Sequence, residues 1–249
     1  MTRRRWIADT WDEAAASLSG AQAEHLIRVL RVQEGEEADV VAGGHVFHAV
    51  VTGFQDGGAG ASSEVRFNLL AELNAKPAMA VTLVMSIFKF DHMEWAIEKA
   101  TELGVATIVP VITRRTDKHL ASAAVKRVER WRRIAHEASQ QSRRSDVPTI
   151  ADATKLADRV KAASNLQRVV LAEHERGTTL RGFLEEAIAN AGVEMPELEI
   201  AIGPEGGWAP EEAALFDTHG WRAVSLGPRI LRAETAAITA LAVVGSMME

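Results

Sequence analysis

Two glycine-rich segments in the last fifth of the chain could form a ligand site. The first, GPEGG at residues 203–207, follows an apolar run that ends at Ile202 and precedes a helix start with Pro210. Glycine-rich turns between a strand and a helix often bind phosphate. A Walker-type loop needs Lys and then Ser or Thr after its last glycine, whereas Trp208 follows here. A dinucleotide fingerprint needs G-x-G-x-x-G early in the fold, and the spacing here is G-x-x-G-G. Considered alone, this segment could equally be a structural turn.

The second segment, LGPRILR at residues 226–232, also leaves an apolar run with Gly-Pro and leads into the final helix. Two such loops at the carboxyl ends of buried strands would lie at one edge of a sheet, where open α/β sheets bind ligands. Glycine lets a flat base approach backbone N–H and C=O groups. The apolar residues that could hold an aromatic ring are Ile202, Leu226, Ile230 and Leu231. Together the loops predict a nucleoside pocket rather than a phosphate site.

The elements that position these loops can be predicted from periodicity. Short apolar runs at about 81–87, 107–111, 168–172, 198–202 and 222–226, separated by helices, predict an α/β domain with a mainly parallel sheet. Asp91 and Glu94 indicate the start of one of these helices, and Gly104 its end.

Residues 1–73 differ, because they consist mostly of strand and turn signals. The runs 37–41 and 45–54 flank Ala42-Gly43-Gly44, a hairpin signal, and a short helix at about 21–30 precedes them. We therefore predict two domains, a small β-barrel over 1–73 and an α/β domain over 77–249.

Composition excludes several classes of protein. The chain has 249 residues, 47% hydrophobic and 25% charged, which is typical of a globular protein with a real core. It has no cysteine, so disulfides and thiolate metal sites are excluded. The histidines show no metal-ligand spacing, so no metal is predicted. The N-terminus lacks the apolar segment of a signal peptide, and no uncharged stretch is long enough to span a membrane. These features predict a cytoplasmic protein.

The net charge is −6, yet residues 114–144 contain ten basic and three acidic residues, a local charge of +7. A basic patch of this kind is what polyanion binding requires, although a solvated helix face is the alternative. The segment has helical periodicity. Val125, Val128, Trp131, Ala135 and Ala138 would form one apolar stripe, which predicts a core position for Trp131. Lys126, Arg127, Arg130 and Arg133 would face solvent.

Four motifs resemble the RsmE-type ribosomal RNA (uracil-N3) methyltransferases of the SPOUT superfamily. They are IGPEGGW (202–208), LGPRILRAETAAITAL (226–241), HMEWAIEKATELGV (92–105) and HLIRVLRVQEGEEADV (25–40), so the resemblance spans nearly the whole chain. It implies an N-terminal PUA-like barrel that helps to hold RNA, and a C-terminal SPOUT domain with a trefoil knot. It also implies a homodimer that uses S-adenosylmethionine to methylate N3 of one uridine near the decoding centre of small-subunit (16S) ribosomal RNA. The alternatives are a related methyltransferase acting on tRNA or another rRNA position, and an RNA-binding module without catalysis.

The resemblance assigns the donor site to Leu171, Ala172, Ile202, Gly203, Pro204, Glu205, Gly206, Gly207, Leu226, Gly227, Ile230, Leu231 and Arg232. We predict RNA contacts at Arg3, Arg4, Arg28, Arg31, Arg114, Arg115, Arg143 and Arg144. Two of these places depart from the family pattern. Arg114-Arg115-Thr116 stands where Glu-Arg-Ser is expected, and Arg143-Arg144 where Gly-Arg is usual. Both departures bear on RNA docking.

Methyl transfer to a uracil ring nitrogen requires loss of the N3 proton. A nearby base, or a cation that stabilises the imide anion, would assist this loss. We hypothesise that Arg232 stabilises a uracil oxygen, and that Glu234 either accepts the proton or orients Arg232. The alternative is an Arg–Glu pair that only fixes the loop.

Overall fold

A computed structural model describes residues 5–58, 61–191 and 196–248. The chain divides into two compact units, Met1–Pro77 with Ser139–Asp146, and Ala78–Ala138 with Val147–Glu249. In the described ranges no helix is long and apolar enough to cross a membrane. The predicted α/β architecture with a small N-terminal β domain is confirmed.

The N-terminal unit contains one curled, six-stranded sheet with the strand order β1-β4-β5-β6-β3-β2. The pairing of β5 with β6 has two register shifts, of the kind that β-bulges produce where a sheet bends. At the predicted hairpin, Gly43 and Gly44 adopt the positive φ angles that a tight turn needs. The strands are β1 (Arg5–Ile7), β2 (Thr10–Trp11), β3 (Ala15–Ser19), β4 (Glu37–Ala42), β5 (His45–Gln55) and β6 (Glu64–Leu73). The predicted short helix consists of α1 (Gly20–Glu24) and a π-helical turn, His25–Val29.

The C-terminal unit contains a sheet whose strand pairs are all parallel. The strand order is β10-β8-β7-β12-β11-β13, with β9 beside β8. All five predicted strands are present with ends within two residues of the prediction, whereas the two-residue strands β9 and β10 were not predicted. The knot stays a prediction, since strand order does not report threading. The strands are β7 (Met79–Ser86), β8 (Val105–Ile112), β9 (Thr149–Ile150), β10 (Thr154–Lys155), β11 (Gln167–Leu171), β12 (Leu198–Ile202) and β13 (Arg222–Val224).

Helices cover this sheet, and three of them, Phe90–Glu102, Pro210–Thr218 and Ala233–Gly245, contribute residues to the predicted site. The predicted start of α2 at Asp91 is wrong: Lys89 is the N-cap without a side-chain hydrogen bond, and Asp91 lies in the first turn. Gly104 ends the helix region with a φ of 96°, as predicted. The helices are α2 (Phe90–Glu102), α3 (Lys118–Gln141), α4 (Leu156–Lys161), α5 (Leu180–Ala191), α6 (Pro210–Thr218) and α7 (Ala233–Gly245).

The basic segment is the helix α3, and Trp131 is fully buried on its apolar face, as predicted. Val125 was wrongly placed on that face. It is 69% exposed, and Ala124 takes the inward position. Arg130 and Arg127 hold Glu94 of α2, with nitrogen–oxygen distances of 2.7 and 3.2 Å. These two guanidinium groups, Arg130 first, lower the pKa of the Glu94 carboxyl. Part of the basic patch is therefore used in packing.

Candidate functional site

The candidate site lies where the carboxyl ends of neighbouring parallel strands meet. Strand β12 lies between β7 and β11, and β13 follows β11, so all four strands end at the same sheet edge. The strand order departs from chain order here, and such a switch point opens a crevice in α/β sheets. Ser86 at the end of β7 donates a hydrogen bond to the Ile202 carbonyl oxygen, 2.8 Å away. The loops after these strands are thereby brought together.

The first glycine–proline loop is a tight turn that leads into α6. Gly207 has a φ of 71°, which favours glycine, and its N–H donates to the Pro204 carbonyl oxygen at 2.8 Å. Pro210 then occupies the first helical turn, as predicted.

Buried Glu212 holds the start of α6 to the loop after β8. Its two carboxylate oxygens accept the N–H of Ala209 at 2.9 Å and the N–H of Arg114 at 2.8 Å. Glu212→Gln should lower the free energy of unfolding by about 1–2 kcal/mol, because an amide NH₂ would then face one of these N–H donors. Urea denaturation would measure this. Glu211→Gln, at an exposed position, should have little effect, and equal losses in both variants would contradict the assignment.

Trp208 joins two of the converging strands. Its Nε1 donates to the Leu171 carbonyl oxygen at 2.9 Å. A Cβ added at Gly203 would lie 3.2 Å from the Trp208 ring, so glycine is needed there for close packing rather than for its φ angle. The ring also packs edge-on against Phe216, with centroids 4.7 Å apart. Trp208 is thus a packing residue that also lines the cavity.

The second glycine–proline loop depends on Gly227 for a different reason. Its φ is 114°, and a Cβ there would meet no heavy atom within 4 Å. The φ angle therefore requires glycine at this position. Because no neighbouring side chain fills the place of the missing Cβ, the space beside the loop is open. Ser225, just before it, is fixed by backbone hydrogen bonds to Thr178 and Leu180 at 2.9 and 2.8 Å.

The two loops enclose a cavity of about 590 Å³. This volume is typical of a site for a ligand of nucleoside size or larger. All thirteen residues that the sequence assigned to donor binding line it. Seven further lining residues have polar or ionisable groups that the motifs did not assign. They are Lys89, His92, Glu173, His174, Trp208, Ser225 and Arg229. His92 opens one of the four motifs, so the sequence contained a signal for it.

Arg232 and Glu234 occupy different environments. Arg232 is exposed and lines the cavity. Glu234 is 5% exposed, and its Oε1 lies 3.3 Å from Nδ1 of His92. In the described part of the chain no ion pair joins Glu234 to Arg232. The geometry therefore favours His92, rather than Arg232, as the partner of Glu234.

Two of the arginines predicted to contact RNA use their guanidinium groups within the protein, and a third, Arg143, is exposed but makes a contact through its backbone. Arg115 donates to the Gly206 carbonyl oxygen and lines the cavity. The Arg144 guanidinium is 7% exposed and lies 2.6 Å from Asp146. Arg143 has a φ of 59°, and its carbonyl oxygen accepts a hydrogen bond from Arg5.

The other predicted RNA contacts are more accessible. The Arg28 side chain is 51% exposed, although Glu24 and Asp56 lie 2.5 and 3.0 Å from it. Arg31 is exposed with a φ of 54°, and Arg114 is 68% exposed. Arg3 and Arg4 lie outside the described residues.

Known proteins match both units. The RNA methyltransferase domain family matches residues 74–245, and the RNA methyltransferase PUA domain family matches residues 18–58. The chain is 34% identical over 240 residues to the ribosomal RNA small subunit methyltransferase E of Synechocystis, covering 95% of this chain and 75% of that protein.

Two solved structures resemble the chain along its length. One is a ribosomal RNA small subunit methyltransferase E from Neisseria gonorrhoeae bound to S-adenosyl methionine, with 28% identity, a TM-score of 0.80 and 98% coverage of each chain. The other is a Legionella pneumophila protein in complex with the bound cofactor SAM, with 29% identity and a TM-score of 0.82. That match covers 99% of this chain and 98% of the other.

Proposed function

The chain belongs to the ribosomal RNA small subunit methyltransferase E family, and on that premise we propose that it methylates N3 of a uridine in small-subunit (16S) ribosomal RNA. Its methyl donor is S-adenosylmethionine. The observation that carries the proposal is the convergence of both glycine–proline loops on one cavity of about 590 Å³. Because the loops come from adjacent strand ends, one cavity can hold the donor and present its methyl group to an incoming base.

The residues around the cavity fit this donor. Gly203 and Gly227 leave backbone groups accessible, and the space beside Gly227 is open to a bound ligand. Apolar side chains of Leu171, Ile202 and Leu226 line the same cavity and can pack against an adenine ring. When bound, the donor supplies a sulfonium methyl group for in-line displacement.

The cations at the cavity wall fit an acceptor that becomes anionic. Uracil N3 attacks as a nucleophile only as its proton is lost, so negative charge develops on the imide oxygens. Lys89, Arg229 and Arg232 are exposed and line the cavity. Cations near a developing anion stabilise it, which supports a uridine acceptor. Arg232, at the N-cap of α7, is the residue that we assign to a uracil oxygen.

RNA would be held by exposed arginines outside the cavity. We keep Arg28, Arg31 and Arg114 as proposed phosphate contacts, because their side chains are accessible. Arg144 is left out, because its guanidinium is buried against Asp146. Phosphate contacts of this kind position RNA without reading its sequence. A cytoplasmic location is part of the same proposal, since ribosomal RNA is its substrate.

The working form proposed here is a homodimer. Its support is a solvent-exposed tryptophan, Trp95, on α2, the helix that packs against α7. An exposed indole on a helix that borders the site is typical of an interaction surface. A second copy of this chain is the proposed occupant of that surface.

Trp95→Glu should convert the dimer to a monomer, because a buried charge at an interface costs several kcal/mol. Light scattering during size-exclusion chromatography would measure the mass. Trp11→Glu changes an indole that is 55% exposed in the other unit and should remain dimeric. A wild-type protein that elutes as a monomer at micromolar concentration would contradict the proposal.

Incubation with labelled S-adenosylmethionine and separate RNA pools tests the substrate. We expect label in 30S subunits or 16S rRNA that lack the modification. Label in tRNA or 23S rRNA instead would favour the related-methyltransferase alternative. Donor binding without transfer to any pool would favour a non-catalytic RNA-binding module.

A further inference from the structure

His92 places an ionisable group at the cavity wall with a buried carboxylate behind it. It lies in the first turn of α2, its side chain is 32% exposed, and it lines the cavity. Nδ1 is buried without a well-oriented hydrogen bond in the described structure, and it lies at ion-pair distance, 3.3 Å, from Glu234 Oε1. Nε2 is 3.8 Å from the carboxylate of Asp91, which is 77% exposed.

Glu234 needs a countercharge, because an isolated buried carboxylate is costly. Its Oε2 is buried without a hydrogen-bond partner in the described structure. His92 is the ion-pair partner that the described residues provide. The N-terminal end of α7 adds a favourable dipole, since Glu234 lies in the first turn. An imidazolium at His92 would neutralise this carboxylate.

The charged surroundings of His92 come from several elements. Glu234 faces it from α7, and Asp91 from its own helix. Strand β8, which also packs against α2, contributes no titratable side chain. On α3, Arg127 and Arg130 are bound to Glu94. The other titratable groups that line the cavity with His92 are Lys89, Arg115, Glu173, His174, Glu205, Arg229 and Arg232.

We propose that His92, as an imidazolium held by Glu234, donates its Nε2–H to a carbonyl oxygen of the target uracil. The inference rests on the proposed function. The N3 proton passes to water, and N3 forms a bond to the methyl carbon. The carbon–sulfur bond breaks, and its electron pair stays on sulfur. His92 undergoes no net proton transfer, because its role is to stabilise the imide anion through the hydrogen bond. Glu234 is a positioning residue, because it acts through His92.

The rate difference between the wild type and His92→Gln should change with pH in a direction that distinguishes a cationic donor from a general base and from a purely structural residue. Single-turnover methyl transfer should be about 10²-fold slower in His92→Gln at low pH, the usual cost of losing one such donor. The difference from wild type should shrink as pH rises, because the neutral imidazole no longer supplies the cation. A general base at His92 predicts that the difference grows with pH, and a purely structural role that it stays constant. Either result would overturn the proposal.

His92→Lys supplies a cation that persists at higher pH. This variant should retain transfer in alkaline buffer, where the wild type declines relative to it. Glu234→Gln should also slow transfer, because His92 loses its ion-pair partner. His219→Gln, a histidine bound to the Leu215 carbonyl oxygen and absent from the cavity wall, is the matched control and should follow the wild-type profile.

A second readout needs neither donor nor RNA. Nitrogen NMR of the imidazoles, recorded at the pH at which the wild-type protein transfers methyl groups fastest, should show both His92 ring nitrogens protonated, and less protonation in Glu234→Gln. A neutral His92 in both proteins refutes the inference while leaving the proposed function intact. Absence of methyl transfer by the wild type refutes the proposed function itself, whatever the charge of His92.

Discussion

Gly203→Val should weaken S-adenosylmethionine binding by at least about 10²-fold, or about 2.7 kcal/mol. A Cβ at this position already lies 3.2 Å from the Trp208 ring, and valine adds two methyl groups beyond it. The indole would have to move, which would break its 2.9 Å hydrogen bond to the Leu171 carbonyl oxygen. The change therefore disturbs two strand ends of the donor site at once. Isothermal titration calorimetry would measure the loss.

The matched control is Gly58→Val. Gly58 has a φ outside the left-handed region, and a Cβ there meets no heavy atom of the described residues within 4 Å, so donor affinity should be unchanged. Gly203→Ala should give an intermediate loss, because only the Cβ contact is added. Thermal unfolding of each variant separates local disturbance from global unfolding, since overpacking costs about 1–3 kcal/mol. Wild-type affinity in a folded Gly203→Val protein would exclude this loop from the donor site.

Arg232→Ala should lower single-turnover methyl transfer by about 10²–10³-fold, the range seen when one donor to a developing anion is removed. Arg232 is exposed at the cavity wall, where its guanidinium can reach an acceptor base. Its contribution is expected in the transfer step rather than in donor binding. Calorimetry should therefore show donor affinity within a few-fold of wild type.

Two further variants define the role of Arg232. Arg232→Lys should recover part of the rate, because lysine keeps the positive charge but lacks the planar guanidinium group with its paired N–H donors. Arg222→Ala removes a half-exposed guanidinium from the amino end of β13, away from the cavity, and should leave the rate unchanged. If Arg232→Ala reduced donor affinity and transfer equally, Arg232 would be a donor-binding residue instead.

The sheet that carries the site could be predicted because its strands are short apolar runs bounded by polar residues. Strand β12 has the predicted bounds, Leu198–Ile202. The two Gly-Pro loops follow strands of one parallel sheet, so their convergence followed from topology alone. The apolar pattern of β12 did not predict the environment of Glu199, which is fully buried and pairs with Arg168 and Arg159.

Contacts between distant side chains could not be predicted. The pairing of His92 with Glu234 joins two helices that are far apart in the chain, and no periodicity reports it. Composition placed Arg115 in a basic patch, but its guanidinium turns to the Gly206 carbonyl oxygen. Likewise Val125 and Ala124 differ by one position, which rotates a side chain by about 100° around a helix. A single-residue error therefore exchanged a buried position for an exposed one.

Two-residue strands such as β2 and β9 also escaped prediction. Alternation needs at least four residues to be recognisable, and these strands are defined by their partners. The grouping of residues 139–146 with the N-terminal unit is a similar case. It depends on contacts such as Gln140 Nε2 donating to Gln22 Oε1 at 2.7 Å.

The identity of the methylated nucleoside decides whether the protein methylates uridine N3. Small-subunit RNA that lacks the modification would be incubated with the protein and S-adenosylmethionine, digested to nucleosides and analysed by mass spectrometry against synthetic standards. We predict 3-methyluridine at a single position, absent when Gly203→Val replaces the wild type. A methyl group on uracil C5, on a ribose 2′-oxygen or on a purine would exclude uridine N3 as the site of transfer.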